Sequence, residues 1–489
     1  MTTVNNSTNH GDRGFPNGPG VPTAGLDGAG APRLAPGGGG GVGSDEGTGG
    51  GMSLMDRDRR SDRVGSSTMV SVRHARPMPG VTVETDPSDV GMSADRLARI
   101  DHHFRRYVDD GRLAGWQIAV SRAGKVVHSA TYGHRDQESS TPFADDTIVR
   151  LFSMTKPVTS VAAMMLYEEG AFELKDPITR WLPEFADTPV YRSGSFVKPV
   201  TDNQTEPIRV WHLLTHTSGL TYGFHNSHVT DALYRKAGFE WGVPKGADLA
   251  ECCARWAELP LAFQPGAEWL YGVSTDVLGR LVEVISGMPL DEFFRTRIFD
   301  PLGMVDTDFW APEDRIDRLA TLYVPNPADG TAVNAPPALG RGMDRRPTML
   351  GGGGGLVGTA HDYLRFAHML LNRGELDGVR LLGPRTVDYM TTNHLPGGAD
   401  LERFGRPLFA ETSYDGVGFG LGFSVVVDPA ANKVMRSPGE FAWGGAASTA
   451  FWVDPVEEVV AVFLTQLLPS STHPIRTQLL QLVQQSLVD

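Results

Sequence analysis

The hydrophobic pattern changes its period along this chain, and the changes mark out the elements. After Ser93, Leu97, Ile100, Phe104 and Tyr107 recur at spacings of three and four, which predicts one buried helix face. Ser93 is placed to cap that helix and Gly111 to stop it. In WQIAVSRAGKVVHSATYG two apolar runs flank Ala123-Gly124-Lys125, the pattern of a β-hairpin. From Ser153 to Gly170 the chain reads SMTKPVTSVAAMMLYEEG, a helix with a polar opening. Its Pro157 falls in the first turn, where the missing N–H does no harm. A further helix is expected from Ser274 over STDVLGRLVEVISG, and another after Thr359, which forms a capping box with Asp362. FGLGFSVVVD, ASTAFWVDP and EEVVAVFLTQ then read as strands. A closing helix follows Pro474, with Ile475, Leu479, Leu482 and Val483 on one face.

Strands at both ends with helices between them predict an α/β (α+β) fold. One antiparallel sheet is built from N- and C-terminal strands and flanked by helices. The α/β part covers about 90–170 and 350–489, and a mostly helical domain is inserted at about 171–349. Residues 1–85 have no hydrophobic period and contain runs such as GGGGGVGSDEGTGGG. That segment is expected to be a disordered Gly/Pro-rich tail, because it cannot bury enough surface to offset its ordering entropy.

The net charge is −14 and no basic block occurs, which argues against a nucleic-acid partner. No run reaches the roughly 18 apolar residues of a membrane span, and the first residues lack a signal-peptide pattern. Cys252 and Cys253 are the only cysteines and are adjacent, which excludes a disulfide framework and fits a reducing compartment. A cytoplasmic protein without membrane contact is expected.

The chemistry centres on Ser153-Met-Thr-Lys156. On a helix, three residues advance about 4.5 Å and turn about 300°, so hydroxyl and amine share a face. A serine hydroxyl needs a base to become a nucleophile. A lysine serves only when neutral. For a free lysine near 10.4 that costs about 4–5 kcal/mol at pH 7, which a site must offset by desolvation or neighbouring positive charge. The same spacing recurs at Ser195 and Lys198, but in YRSGSFVKPVTD, which reads as a loop.

From about residue 90 to its end the chain resembles the serine β-lactamase-like family, which includes penicillin-binding proteins, class C β-lactamases and related esterases. The resemblance rests on RLFSMTKPVTSVAAMMLYEEG, VWHLLTHTSGL, QPGAEWLYGVSTDVLGRLVEVISG, GGGGGLVGTAHDYLRFAHMLL and the terminal strands. It implies Ser153 as nucleophile and Tyr271 as the second-motif phenol, sharing proton transfer with Lys156. The Asn that usually follows two residues after this Tyr is absent. It implies Trp443-Gly444-Gly445 in place of the Lys-Thr-Gly of β-lactam-binding members, with these small residues letting a substrate lie close to the strand. The oxyanion would be held by the N–H groups of Ser153 and Ala446. Without the third-motif lysine, the strand offers an apolar wall suited to a neutral ester.

The expected function is therefore a carboxylesterase acting on small esters through an acyl-enzyme, with no cofactor and no metal. Three alternatives stay open: an acyltransferase with the same acyl-enzyme, a β-lactamase or D-Ala peptidase, and a non-catalytic ligand-binding relative. His216 is read as structural, because no G-x-S-x-G elbow presents a serine to it. His225 and His228 lack a third metal ligand. Arg341, Arg345 and Arg346 are read as a solvated rim, and the glycines 351–355 as a place where backbone passes close to the site.

Overall fold

The computed structural model describes residues 80–337, 339, 342–406 and 413–489. The expected tail lies outside these up to residue 79, but its last residues do not. Val81 is buried in the main core. Glu84 N–H donates to Val126 O, and its carboxylate accepts from Val126 N–H. Packing therefore begins before residue 86.

Helix α1 (Ala94–Asp109) opens at Ser93, whose Oγ accepts from Arg96 N–H at 3.4 Å. Strands β1 (Gly115–Arg122) and β2 (Lys125–Asp136) turn through Ala123 and Gly124, with φ of 50° and 73°, the left-handed pair that matches strand twist in a two-residue hairpin. Strands β3 (Thr141–Pro142) and β4 (Val149–Arg150) lead to α2 (Thr155–Glu168). Next come α3 (Ser274–Ser286), β5 (Val357–Gly358) and α4 (Ala360–Leu371). The chain closes with β6 (Val417–Phe419), β7 (Ser424–Val426), β8 (Phe441–Gly444), β9 (Ala450–Asp454), β10 (Val459–Thr465) and α5 (Ile475–Gln484).

The main sheet runs β6-β7-β8-β9-β10-β1-β2-β3 and is antiparallel throughout. Its two ends of chain meet at β1 and β10, in register from Trp116 opposite Thr465 to Arg122 opposite Val459. Alternate residues of β10 enter different cores. Val459, Ala461 and Phe463 pack with α1 and α5, while Val460, Val462 and Leu464 pack with α2, α3 and α4. Both faces being covered is why this strand reads as an unbroken apolar run.

Between 171 and 349 short helices predominate, joined by two small hairpins, Val190–Gly194 with Pro199–Asp202 and Tyr323–Pro325 with Ala332–Asn334. One cap differs from expectation. Thr359 Oγ1 accepts from Asp362 N–H at 3.3 Å, but the return half of the box is missing. The Asp362 carboxylate is taken by Asp306 N–H at 2.7 Å and Thr307 Oγ1 at 2.9 Å. A fully buried carboxylate needs strong donors, and these tertiary ones satisfy it.

Candidate active site

Ser153 sits in a 3₁₀ turn, Phe152–Met154, that runs straight into α2. Phe152 has φ of 46°, a left-handed conformation that costs an aromatic residue on the order of 1–2 kcal/mol. The turn is braced from several sides. Thr155 Oγ1 donates to Phe152 O at 2.7 Å and accepts from Leu356 N–H at 3.1 Å. Tyr363 Oη donates to Met154 O at 2.8 Å.

Lys156 occupies the first turn of α2 and is 1% exposed. Its Nζ lies 3.3 Å from Ser153 Oγ, 3.0 Å from Tyr222 Oη and 2.7 Å from Gly353 O. The carbonyl comes from the glycine run, which is threaded between α2 and α3. A Cβ at Gly352 would lie 2.8 Å from Thr275 O, and one at Gly353 2.4 Å from Asp276 Oδ2. Only glycine passes there. The run thus delivers an acceptor to the lysine. Its Gly353 N–H donates to Asp276 Oδ1 at 2.9 Å. Burial pushes the Asp276 carboxyl above its ordinary range, with the charge of Lys156 opposing.

The phenol that hydrogen-bonds Lys156 is Tyr222, not Tyr271. Tyr271 offers its ring instead, with Nζ 4.4 Å from the centroid. Its hydroxyl accepts from the Trp443 indole N–H at 3.3 Å, a donor that would otherwise be left unpaired. So serine, lysine and Tyr271 do converge, but amine and phenol meet face-on rather than through oxygen. Tyr222 was missed because its only signal in the chain is standing two residues beyond VWHLLTHTSGL. Burial, then Asp276 and Tyr271, push it well above the ordinary phenol value, so it stays protonated.

Trp443, Gly444 and Gly445 line the cavity, and the two glycines also face close neighbours within the protein. A Cβ at Gly444 would lie 2.3 Å from the Arg476 guanidinium carbon. At Gly445 it would lie 2.3 Å from Leu151 O and 2.2 Å from Thr449 Oγ1. The missing side chains leave room for Arg476, Leu151 and Thr449, while both glycines also line the cavity beside Ser153. Arg476, on α5, donates to Gly445 O at 2.8 Å and Thr449 O at 3.0 Å, so a cation braces this strand end where an apolar wall alone was expected. Among the described residues, neither Ser153 N–H nor Ala446 N–H has a hydrogen-bond acceptor, as an oxyanion hole requires.

Residues 100–485 match the family model described as Beta-lactamase. The chain belongs to the beta-lactamase family. Protein Rv1367c of Mycobacterium tuberculosis is 38% identical over 372 residues, 75% of this chain and 89% of its own. Esterase EstB of Burkholderia gladioli is 32% identical over 398 residues, 78% of this chain and 93% of its own. Among solved structures, EstCE1, described as a hydrolase with promiscuous acyltransferase activity, superposes with a TM-score of 0.67. It is 27% identical, and the match covers 80% of this chain and 98% of that one.

In this member of the beta-lactamase family the remaining candidates take supporting places. His216 is buried against Trp269, Tyr271 and Phe419, with Nε2 3.3 Å from Thr275 Oγ1. Burial, then Lys156 and His225, hold it well below the ordinary histidine value. His225 lies edge-on to Tyr222 and is held down at about 4 by burial. His228 Nδ1 faces Thr230 Oγ1 at the start of a short helix. Ser195 and Lys198 form the exposed tip of the first small hairpin, where Ser195 Oγ accepts from Lys198 N–H. Arg346 pairs with Asp291 at 2.9 Å, and Arg345 is exposed. Arg341 lies outside the described residues. The site opens into a cavity of about 630 Å³, with Ser153, Tyr222, Tyr271, Trp443 and Ala446 among its walls. Among the described residues no helix is long and apolar enough to cross a membrane.

Proposed function

We propose that Ser153 carries ester cleavage through an acyl-enzyme, with Lys156 as its base and Tyr222 and Tyr271 as the phenols that complete the proton path. The chain is a serine hydrolase of the beta-lactamase fold, an esterase or acyltransferase acting on small-molecule esters. Esterase EstB, the Lovastatin esterase of Penicillium rubens and EstCE1 support that class. The observation that carries the residue assignment is the buried Lys156 Nζ, 3.3 Å from Ser153 Oγ and held by neutral oxygens. Among the described residues no carboxylate forms an ion pair with it, and its neighbours within hydrogen-bond reach are the Ser153 and Tyr222 hydroxyls and the Gly353 carbonyl.

In the forward step Ser153 Oγ bonds to the ester carbonyl carbon and its proton passes to Lys156. The tetrahedral oxyanion rests on the N–H groups of Ser153 and Ala446. Its collapse breaks the C–O bond, and the alkoxide leaves with a proton from the lysine–phenol group. Water then adds to the acyl-enzyme by the same path in reverse and releases the acid and Ser153. An alcohol in place of water gives acyl transfer, a second reading favoured by the activity described for EstCE1. Val273 stands where β-lactam-binding members usually carry Asn, and the third-motif lysine is absent, which disfavours β-lactam substrates. The test is Ser153→Ala with a p-nitrophenyl short-chain ester. Turnover should vanish, and retained turnover overturns the assignment. Product analysis with added alcohol separates hydrolysis from transfer.

A further inference from the structure

One wall of the cavity is a ladder of aromatic rings that begins at the lysine. Tyr222, hydrogen-bonded to Lys156, stacks on Phe224 with centroids 4.7 Å apart and planes 18° apart. Phe224 stacks on Trp241 at 4.7 Å and 10°. Trp241 ends the ladder and is 48% exposed. It belongs to the segment 239–247, which lines the cavity throughout and turns at Gly238 and Gly246, with φ of 91° and 80°. Val243 beside it is also exposed. Met343 and Met349 also line the cavity, thioethers that adapt their shape to a ring. A large indole left half in water beside further apolar groups is an unfavourable surface unless something flat covers it.

The ladder's direction tells which half of an ester it meets. This step rests on the acyl-enzyme reading above. The leaving alcohol must take its proton from Lys156 and the phenols, whereas the acyl oxygen sits at the Ser153 and Ala446 amides. The rings start at the first of these places. We infer that Phe224 and Trp241 bind a flat apolar ring system on the alcohol side of the ester, an aryl or fused-ring alcohol whose oxygen reaches Lys156.

The test compares 2-naphthyl butyrate, methyl butyrate and methyl 2-naphthoate in the full chain and in Trp241→Ala. The preference for 2-naphthyl butyrate over methyl butyrate, as a ratio of kcat/KM, should fall tenfold or more, chiefly through KM. Trp241→Phe should restore most of it. The ratio of methyl 2-naphthoate to methyl butyrate should not move. A separate arm titrates free 2-naphthol into Ser153→Ala protein by calorimetry. Binding should be present there and at least fivefold weaker once Trp241→Ala is added. An unmoved naphthyl preference, absence of 2-naphthol binding, or a fall confined to the naphthoate ratio overturns the inference, the last by moving the rings to the acyl side. If wild-type protein cleaves none of the esters yet 2-naphthol binds through Trp241, the acyl-enzyme reading fails and the ring subsite stands.

Discussion

Gly445→Ala probes how the nucleophile turn and the strand end are held together. The added Cβ would lie 2.3 Å from Leu151 O and 2.2 Å from Thr449 Oγ1. The threonine can rotate away, giving up its 3.3 Å bond to Leu151 O. The carbonyl cannot, because it is backbone two residues before Ser153. To regain an ordinary contact of 3.4 Å it must retreat by about 1.1 Å, or the strand must. Either movement separates the Ser153 and Ala446 amides from the geometry they share. Displacements of about 1 Å at reacting groups cost roughly 10²-fold, and loss of one oxyanion donor about 10²–10³-fold. We expect kcat/KM for p-nitrophenyl butyrate to fall about 10²-fold, or about 2.7 kcal/mol. Overpacking should lower stability by about 1–3 kcal/mol, visible in a thermal melt but short of unfolding. Gly444→Ala is the internal contrast. Its Cβ meets the end of the Arg476 side chain, which can move, so the loss should be no more than about tenfold. A folded Gly445→Ala protein within threefold of wild type would refute the reasoning, as would Gly444→Ala being the more damaging change.

The remaining predictions address the base, the phenols and pH. Lys156→Met should lower kcat about 10²–10⁴-fold with little change in melting temperature, since a buried amine is replaced by an apolar chain of similar volume; a marked loss of stability would show the lysine to be structural. Tyr222→Phe removes the oxygen 3.0 Å from Nζ and should lower kcat about 10–100-fold, the cost of leaving a buried donor without one of its acceptors. Tyr271→Phe keeps the ring against the amine and removes only the oxygen held by Trp443; it should cost more, about 10²–10⁴-fold, and the reverse order would transfer the proton-moving role to Tyr222. His212 and His225 are each held down at about 4, chiefly by burial, against about 6.5 unfolded. The folded chain therefore binds fewer protons, so their contribution is complete above pH 6.5 and is lost as pH falls towards 4, by up to about 1.4 kcal/mol per pH unit for each. Urea unfolding at pH 7 and pH 5 should show this loss, and His225→Gln should reduce it; equal stability at both pH values counts against it.

What could be read in the chain was whatever local period and composition decide. The helix faces of α1 and α5, the hairpin at Ala123-Gly124, the opening of α2 at Ser153 and the capping of α4 by Thr359 all follow from neighbours a few residues apart. So did the one-turn spacing of Ser153 and Lys156, because a helix sets it. Groups brought together from distant segments were hidden. Tyr222 reaches Lys156 across 66 residues and Gly353 across 197, and no local pattern encodes either meeting. The glycines at 444 and 445 were legible as small residues, yet only packing shows that Arg476 and Leu151 fill the space above them. Likewise Tyr271 was legible as a phenol near the site, but its hydroxyl accepts from the Trp443 indole N–H, which only the fold places beside it. Sequence determines which groups a segment can present. Which oxygen meets which proton is settled by competition among all the buried donors and acceptors that packing brings to one place.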